Sequence, residues 1–368
     1  MSTPPSGYIY PALAQRPPPP TPMPRRSGSP TKLLLLISLG VLAAVLIIPR
    51  FTPFSLAAFR STPIPASTSA STLARTMSTA TSSTPPRKGE VYFLSHGGPP
   101  TMFDTASAPY KAWQKYGKMV EAARPRGLVV VSAHWENPSH SAGVVGEYLS
   151  PYVYPRPLTA VNTDASNPLV YDFYGFPKNY YEQKFTSHGD PQMLKDVTAA
   201  LKSSGMDVST AKRGLDHGVW VPFLVAFAGK TDIPVVQVSL PGDSDPVSAA
   251  KLGKALASLR DEGYGIMGSG QAVHNLRDYM TGGRGSYGDA FLQAIGSALH
   301  SDSPTDGAIG LFRHPAYRQA HPTPEHLLPL VVAAAAADPK TDALQDIFVQ
   351  PNGPLGWGMW TWKPKAAL

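Results

Sequence analysis

Histidine is the commonest metal ligand and the natural proton carrier near neutral pH, and six of this chain's ten histidines fall in five short islands. The islands read SHGGPP at Ser95–Pro100, SAHW at Ser132–Trp135, LDHG at Leu215–Gly218, SGQAVHN at Ser269–Asn275 and HPTPEH at His321–His326. Singly each has a plain structural reading: a turn at His96, a satisfied core imidazole at His134, a helix-start residue at His326. Together these three match a facial set of nitrogen donors with open coordination positions, the arrangement non-haem iron uses for oxygen chemistry. Glu325 competes with His326 for the third position. Neighbours on a helix point about 100° apart, so only one of the two reaches a shared ion.

His217 and His274 have different surroundings. Asp216-His217-Gly218 opens an apolar helical stretch, and His274 follows a Gly-Ser-Gly turn with Asn275 and Arg277 beside it. A positioned imidazole of this kind relays a proton, a contribution of roughly 10²–10⁴-fold to rate. His321, in the HPTP turn, flanks the same region. His140, His188, His300 and His314 lack such a context. A further segment, YDFYGFPKNYYE at Tyr171–Glu182, is dense in aromatics. It suits either the wall of a pocket for a planar substrate, with Tyr174 and Phe176 as contacts, or a loop stapled down by its rings. Lys178, Arg213 and Arg277 are the cations at hand for a substrate carboxylate.

Several chemistries are excluded or unsupported. The chain has no cysteine, which removes disulfides, thiolate zinc sites and a cysteine nucleophile together. A metal would be held by nitrogen and oxygen, which favours iron, zinc or manganese. There is no Gly-x-Gly-x-x-Gly, Walker loop or Gly-x-Ser-x-Gly elbow, so nucleotide cofactors and serine hydrolysis lack a signature.

These islands must be positioned by a folded body, and the sequence divides accordingly. Residues 1–89 are rich in Pro, Ser, Thr and Ala and carry nine basic residues and no acid. Residues 90–368 hold 23 basic and 25 acidic residues, so the net charge of +7 belongs to the leader and no nucleic-acid face is supported. The leader reads as disordered apart from one apolar run, Leu33–Ile48. Sixteen helical residues reach about 24 Å against a hydrocarbon core of about 30 Å. With Arg25, Arg26 and Lys32 before it, the run is expected to form a transmembrane helix, a single-pass membrane anchor giving a membrane-anchored localisation. A mitochondrial leader or a cytoplasmic protein is the alternative.

From residue 90 the pattern is that of the α/β class. Val91–Ser95, Gly127–Ala133, Ile233–Leu240 and Gly263–Gly270 are short apolar runs that suit strands buried on both faces. Tyr110–Ala123, Pro191–Ser203, Pro246–Glu262 and Asp289–His300 alternate with them as helices. The expectation is a central, mostly parallel or mixed sheet with helices on both faces. Three islands begin where a strand ends, and ligands of open α/β sheets bind outside the carboxyl ends of the strands, which puts a metal site at one sheet edge. For the fifth island, Thr323 is expected as N-cap and Pro324 as the first residue of a helix running through Leu327–Ala337, with His326 in its first turn.

In this order and spacing, SHGGPP, VVVSAHW, YDFYGFPKNYY, GLDHG, PVVQVSL, GSGQAVHNLRD and PTPEHLLPL resemble the class III extradiol ring-cleavage dioxygenases, specifically their 4,5-DOPA dioxygenase-like branch. The resemblance covers about Glu90 to Trp362 and none of the leader. It implies an oxidoreductase that cleaves a small, DOPA-like catechol with O2 to a ring-opened semialdehyde. It implies His96, His134 and His326 as ligands of Fe(2+), with Zn(2+) as the alternative ion. It makes His274 the acid/base and His217 a histidine that contacts substrate or supports a ligand. A histidine at the third ligand position belongs to the DOPA branch, which favours His326 over Glu325. The HPTP segment is shorter than the corresponding motif of plant members, so their substrate preference does not carry over. A zinc-binding hydrolase and a non-enzymatic ligand-binding module on the same fold are the competing functions.

Overall fold

The computed structural model describes residues 87–137 and 158–365. Eight strands form one sheet: β1 (Val91–Ser95), β2 (Gly127–Glu136), β3 (Leu158–Asn162), β4 (Asp207–Ala211), β5 (Val235–Leu240), β6 (Tyr264–Gly270), β7 (Asp342–Gln350) and β8 (Trp357–Pro364). Their order is β4-β3-β5-β2-β6-β1-β8-β7. The centre is parallel, with β6 pairing to both β1 and β2, and β2 to β5. β8 closes one side antiparallel to β1 and β7, and β3 meets β5 antiparallel while pairing parallel to β4. The sheet is therefore mixed, as expected.

Strand residues alternate between two apolar layers, as the period of two requires. Val91, Phe93, Val129 and Val131 point into a core shared with helices Pro191–Ser203, Pro246–Ala257, Ser286–Leu299 and Leu328–Ala336. Tyr92, Leu94, Leu128 and Val130 point the other way, towards helices Ala108–Ala123 and His217–Ala226. Both faces are covered. Helix Ala108–Ala123 shows how the sequence achieves this. Ser107 caps it by accepting from the Tyr110 N–H, and Ala112, Trp113, Tyr116 and Val120 bury one stripe at helical spacing. Full burial of each large ring stabilises by about 2–3 kcal/mol. Trp113 also donates from Nε1 to the Ser95 carbonyl at 3.1 Å, which fixes the end of β1 just before His96.

The four apolar runs are the four central strands. The outer strands β3, β4, β7 and β8 lacked a legible signal: β4 (DVSTA) and β7 (DALQDIFVQ) are mostly half-exposed and polar, and β8 is broken by Gly358 and carries three tryptophans. The helix start after the fifth island differs from expectation. The helix begins at Leu328, not after Thr323, with Pro329 in its first turn. Pro329 has no N–H to offer and is preorganised for that place. The Thr323 hydroxyl does not cap the helix but donates to Glu325 Oε1 at 2.7 Å. His326 thus sits in the turn just before the helix.

The membrane expectations are corrected. No helix among the described residues is long and apolar enough to cross a membrane. Leu33–Ile48, the run on which the transmembrane helix and membrane-anchored localisation rested, lies outside the described residues. Sixteen residues are in any case shorter than a hydrocarbon core needs.

Candidate active site

Parallel strands β1, β2 and β6 end at the same side of the sheet, and their histidines meet there. His96 follows β1, His134 lies near the end of β2, and His274 follows β6 by four residues. His217 is the first residue of helix His217–Ala226, and His326 precedes helix Leu328–Ala336. Two glycines permit this closeness. A Cβ on Gly270 would stand 2.3 Å from the His326 carbonyl, so β6 carries glycine where the His326 turn crosses it. A Cβ on Gly218 would lie 3.0 Å from both His96 Nδ1 and His134 Cδ2, so the helix start approaches the two rings only without a side chain.

One ring nitrogen each of His96, His134 and His326 lie within 4.8 Å of one another. His96 Nε2 and His134 Nε2 are 3.1 Å apart. The tautomer of His96 follows from its partner. The Ser269 hydroxyl gives its proton to the Gly218 carbonyl, so towards His96 Nδ1, at 3.0 Å, it accepts. Nδ1 therefore carries the hydrogen, and the Nε2 lone pair faces His134. On the third ring, Glu325 Oε1 is 3.0 Å from His326 Nδ1, which leaves Nε2 as the other donor. Such outer carboxylate and hydroxyl partners fix the orientation of imidazole ligands in metal centres. Two nitrogen donors about 2.1 Å from a common ion stand roughly 3–3.5 Å apart. The three imidazoles fit a divalent ion.

Burial keeps these rings neutral. Desolvation, reinforced by the neighbouring imidazoles, holds His96, His274 and His326 well below the ordinary histidine range. Burial and then His217 bring His134 down to about 4, against the pull of Asp216 and Asp172. A neutral imidazole keeps the lone pair that a cation needs.

His217 and His274 stand beside this trio. The His217 ring lies 3.9 Å from that of His134, centroid to centroid, and His274 stacks on His326 at 3.5 Å and 11°. Asp172 Oδ1 is 2.8 Å from His217 Nδ1, close enough for an ion pair but not aligned as a hydrogen bond. The same oxygen accepts from the His217 backbone N–H at 2.9 Å. Burial works against the ionised Asp172, but His217 outweighs it and the carboxyl pKa is lowered. Behind His134, the buried Asp216 accepts from Ser132, Arg213 and Gln237. Arg213 also donates to the His134 carbonyl at 2.8 Å.

The five histidines line one cavity of about 700 Å³, walled by Phe173, Phe176, Leu276, Leu355 and Trp357 among others. Tyr174 and Phe176 are on its wall, Tyr174 largely exposed. His321 is not. It is fully buried, 2.9 Å by Nε2 from the Ala272 carbonyl and packed against Phe291, and its pKa falls to about 4 through burial. Arg213, Arg277 and Lys178 do not line the cavity either. The sequence reading missed Asp172, Ser269 and Asp216. Asp216 and Ser269 lay inside the histidine islands, one next to a histidine and the other at a strand end, whereas Asp172 lay in the aromatic segment Tyr171–Glu182 with no such signal.

Residues 90–352 match the protein family described as the catalytic LigB subunit of aromatic ring-opening dioxygenase. A 4,5-DOPA dioxygenase extradiol of Beta vulgaris is 34% identical over 69% of this chain and 89% of its own length. A 4,5-DOPA dioxygenase extradiol-like protein of Schizosaccharomyces pombe is 33% identical over 70% and 88%. The Escherichia coli 4,5-DOPA dioxygenase extradiol is 30% identical over 67% and 84%. Among solved structures, an uncharacterized protein from Escherichia coli K12 shares the fold, with a TM-score of 0.56 at 24% identity over 74% of this chain and 99% of that one.

Proposed function

The chain belongs to the family of the catalytic LigB subunit of aromatic ring-opening dioxygenases and is an extradiol ring-cleavage dioxygenase; we propose that the body, residues 90–368, acts on a small, DOPA-like catechol through a divalent metal held by His96, His134 and His326. The observation that carries this reading is the convergence of three neutral imidazoles, each with an available donor nitrogen, on one point of an apolar-walled cavity. Fe(2+) is the ion that suits three nitrogen donors and oxygen chemistry. When bound, it supplies Lewis acidity towards the diol and an electron path to O2.

The protein's own residues do the rest. Phe173 and Phe176 take up the faces of the aromatic ring, which fixes the diol edge towards the histidines. The cavity excludes bulk water from the reacting diol. His274, neutral in the resting site, accepts a diol proton at a ring nitrogen and returns it as the ring opens. His217, oriented by Asp172, contacts the substrate beside it. Both atoms of O2 enter the ring-opened semialdehyde, so no external reductant is required.

Reconstitution tests the reading. The full chain is loaded anaerobically with Fe(2+) or Zn(2+) and offered a panel of catechols while O2 is recorded. The expected result is O2 uptake with Fe(2+) alone and a ring-opened product. Zinc-loaded protein that hydrolyses an ester while the iron form consumes no O2 would contradict it. In the same assay His134→Ala is expected to lose stoichiometric metal. His274→Ala should keep the metal and lose at least about 10²-fold in kcat.

A further inference from the structure

The cavity carries its charge in an unexpected place. No lysine or arginine is among the described residues that line it, although a DOPA-like substrate brings a carboxylate. The three cations that the sequence offered are engaged or elsewhere. Arg213 is paired with Asp216 at 3.1 Å, Lys178 with Glu182 at 3.2 Å on the surface, and Arg277 does not reach the cavity. The one carboxylate on the lining among the described residues is Asp104.

Asp104 is held in place by its backbone and not by its carboxylate. It ends the short turn Pro99–Phe103 that leaves His96, and its N–H donates to the Thr101 carbonyl at 3.2 Å. Its own carbonyl accepts from the Ser107 N–H at 3.0 Å and the Ser107 hydroxyl at 2.8 Å. Ser107 is also the cap of helix Ala108–Ala123. The residue is thus fixed by the element that carries His96 and by the helix that buttresses β1. Its carboxylate oxygens have no hydrogen-bond or ion-pair partner among the described residues. A half-buried carboxylate left open at a cavity wall favours a cation there and repels a second carboxylate, and the low-dielectric walls strengthen both effects.

We infer that Asp104 selects the substrate of this dioxygenase: a catechol whose side chain ends in an ammonium group, with the diol at the histidines and the ammonium at the Asp104 carboxylate. This rests on the catechol-cleaving reading above and deepens it. The side chain of such a substrate runs along the apolar stretch of wall formed by Pro99, Pro100 and Trp357. A catechol ending in a carboxylate meets one like charge and no opposite charge on the described wall.

The test compares three catechols that differ in tail charge: dopamine, methylcatechol and dihydroxyphenylpropionate. With the iron-loaded full chain, kcat/KM should fall in that order. In Asp104→Asn the ratio of dopamine to methylcatechol should drop about fivefold, the size of one partly screened ion pair. Raising ionic strength on the unmodified chain should reduce the same ratio without any substitution. Anaerobic calorimetry of dopamine binding, which needs no turnover, should show the same fold-loss in Asp104→Asn and recovery in Asp104→Glu. An unchanged ratio and unchanged binding in Asp104→Asn, or a preference for dihydroxyphenylpropionate, would overturn the role of Asp104. Failure to turn over even methylcatechol would instead overturn the catechol-cleaving reading, and calorimetry would still decide the Asp104 question.

Discussion

Two of the histidines in the cavity have a polar neighbour that decides which nitrogen is free. Ser269 does this for His96 and Glu325 for His326. Asp172 has a double part, since it accepts the His217 backbone N–H and faces the His217 ring with an ionised carboxyl. Asp172→Asn keeps an oxygen for the N–H and removes the charge. The expected outcome is a kcat reduced about tenfold with metal stoichiometry and melting temperature preserved, as for other partners of site imidazoles. Steady-state kinetics beside metal analysis checks it; an equal loss of metal would mean that Asp172 acts on the His134 side instead. At this scale the sequence was generous with histidines and reticent about their partners. All five cavity histidines stood out by type and spacing. Ser269 looked like a turn residue, and His321 looked like a site residue because HPTPEH places it five positions before His326. Burial against Phe291 cannot be read from spacing.

Among the elements, the strand β6 and the turn before helix Leu328–Ala336 set the position of His326. Gly270 is where they touch, with 2.3 Å between an added Cβ and the His326 carbonyl. Gly270→Ala is expected to cost about 1–3 kcal/mol of stability and to weaken metal binding more than it weakens folding. Chemical denaturation and metal titration of one preparation separate the two. His321 makes a second link by reaching from the end of helix Tyr317–Ala320 to the Ala272 carbonyl after β6. Its folded pKa of about 4 lies below the ordinary 6.5. The unfolded chain therefore takes up the proton first, so this contribution is complete above pH 6.5 and is lost as pH falls towards 4. Its size is on the order of 3 kcal/mol. Thermal melts of chelator-treated protein across that window should show a shallower acid slope for His321→Gln than for the unmodified chain. The central strands and the helices between them were legible because they are uniformly apolar or cleanly amphipathic. The edge strands β4 and β7 were not, since a strand half in water has no such pattern to display.

Across the whole molecule, the sheet separates stability from chemistry. At one end of the parallel strands a bidentate pair of Arg260 and Asp342, at 2.7 and 2.8 Å, ties Gly89 before β1 and the Ala336 carbonyl to β7. At the other end the histidines converge on a cavity whose walls come from segments far apart in sequence. That division follows from parallel topology, which brings the carboxyl ends of β1, β2 and β6 together whatever the distance along the chain. The charge asymmetry of the sequence, with a basic leader and a near-neutral body, did not reveal the acidic spot at Asp104.

The most direct test of the central claim is the fate of isotopically labelled O2 in the iron-loaded chain with dopamine or methylcatechol as substrate. Mass spectrometry should find the label in a ring-opened semialdehyde, absent when His134→Ala replaces the unmodified chain. An intact diol, or a product whose new oxygen comes from water alone, would contradict the account.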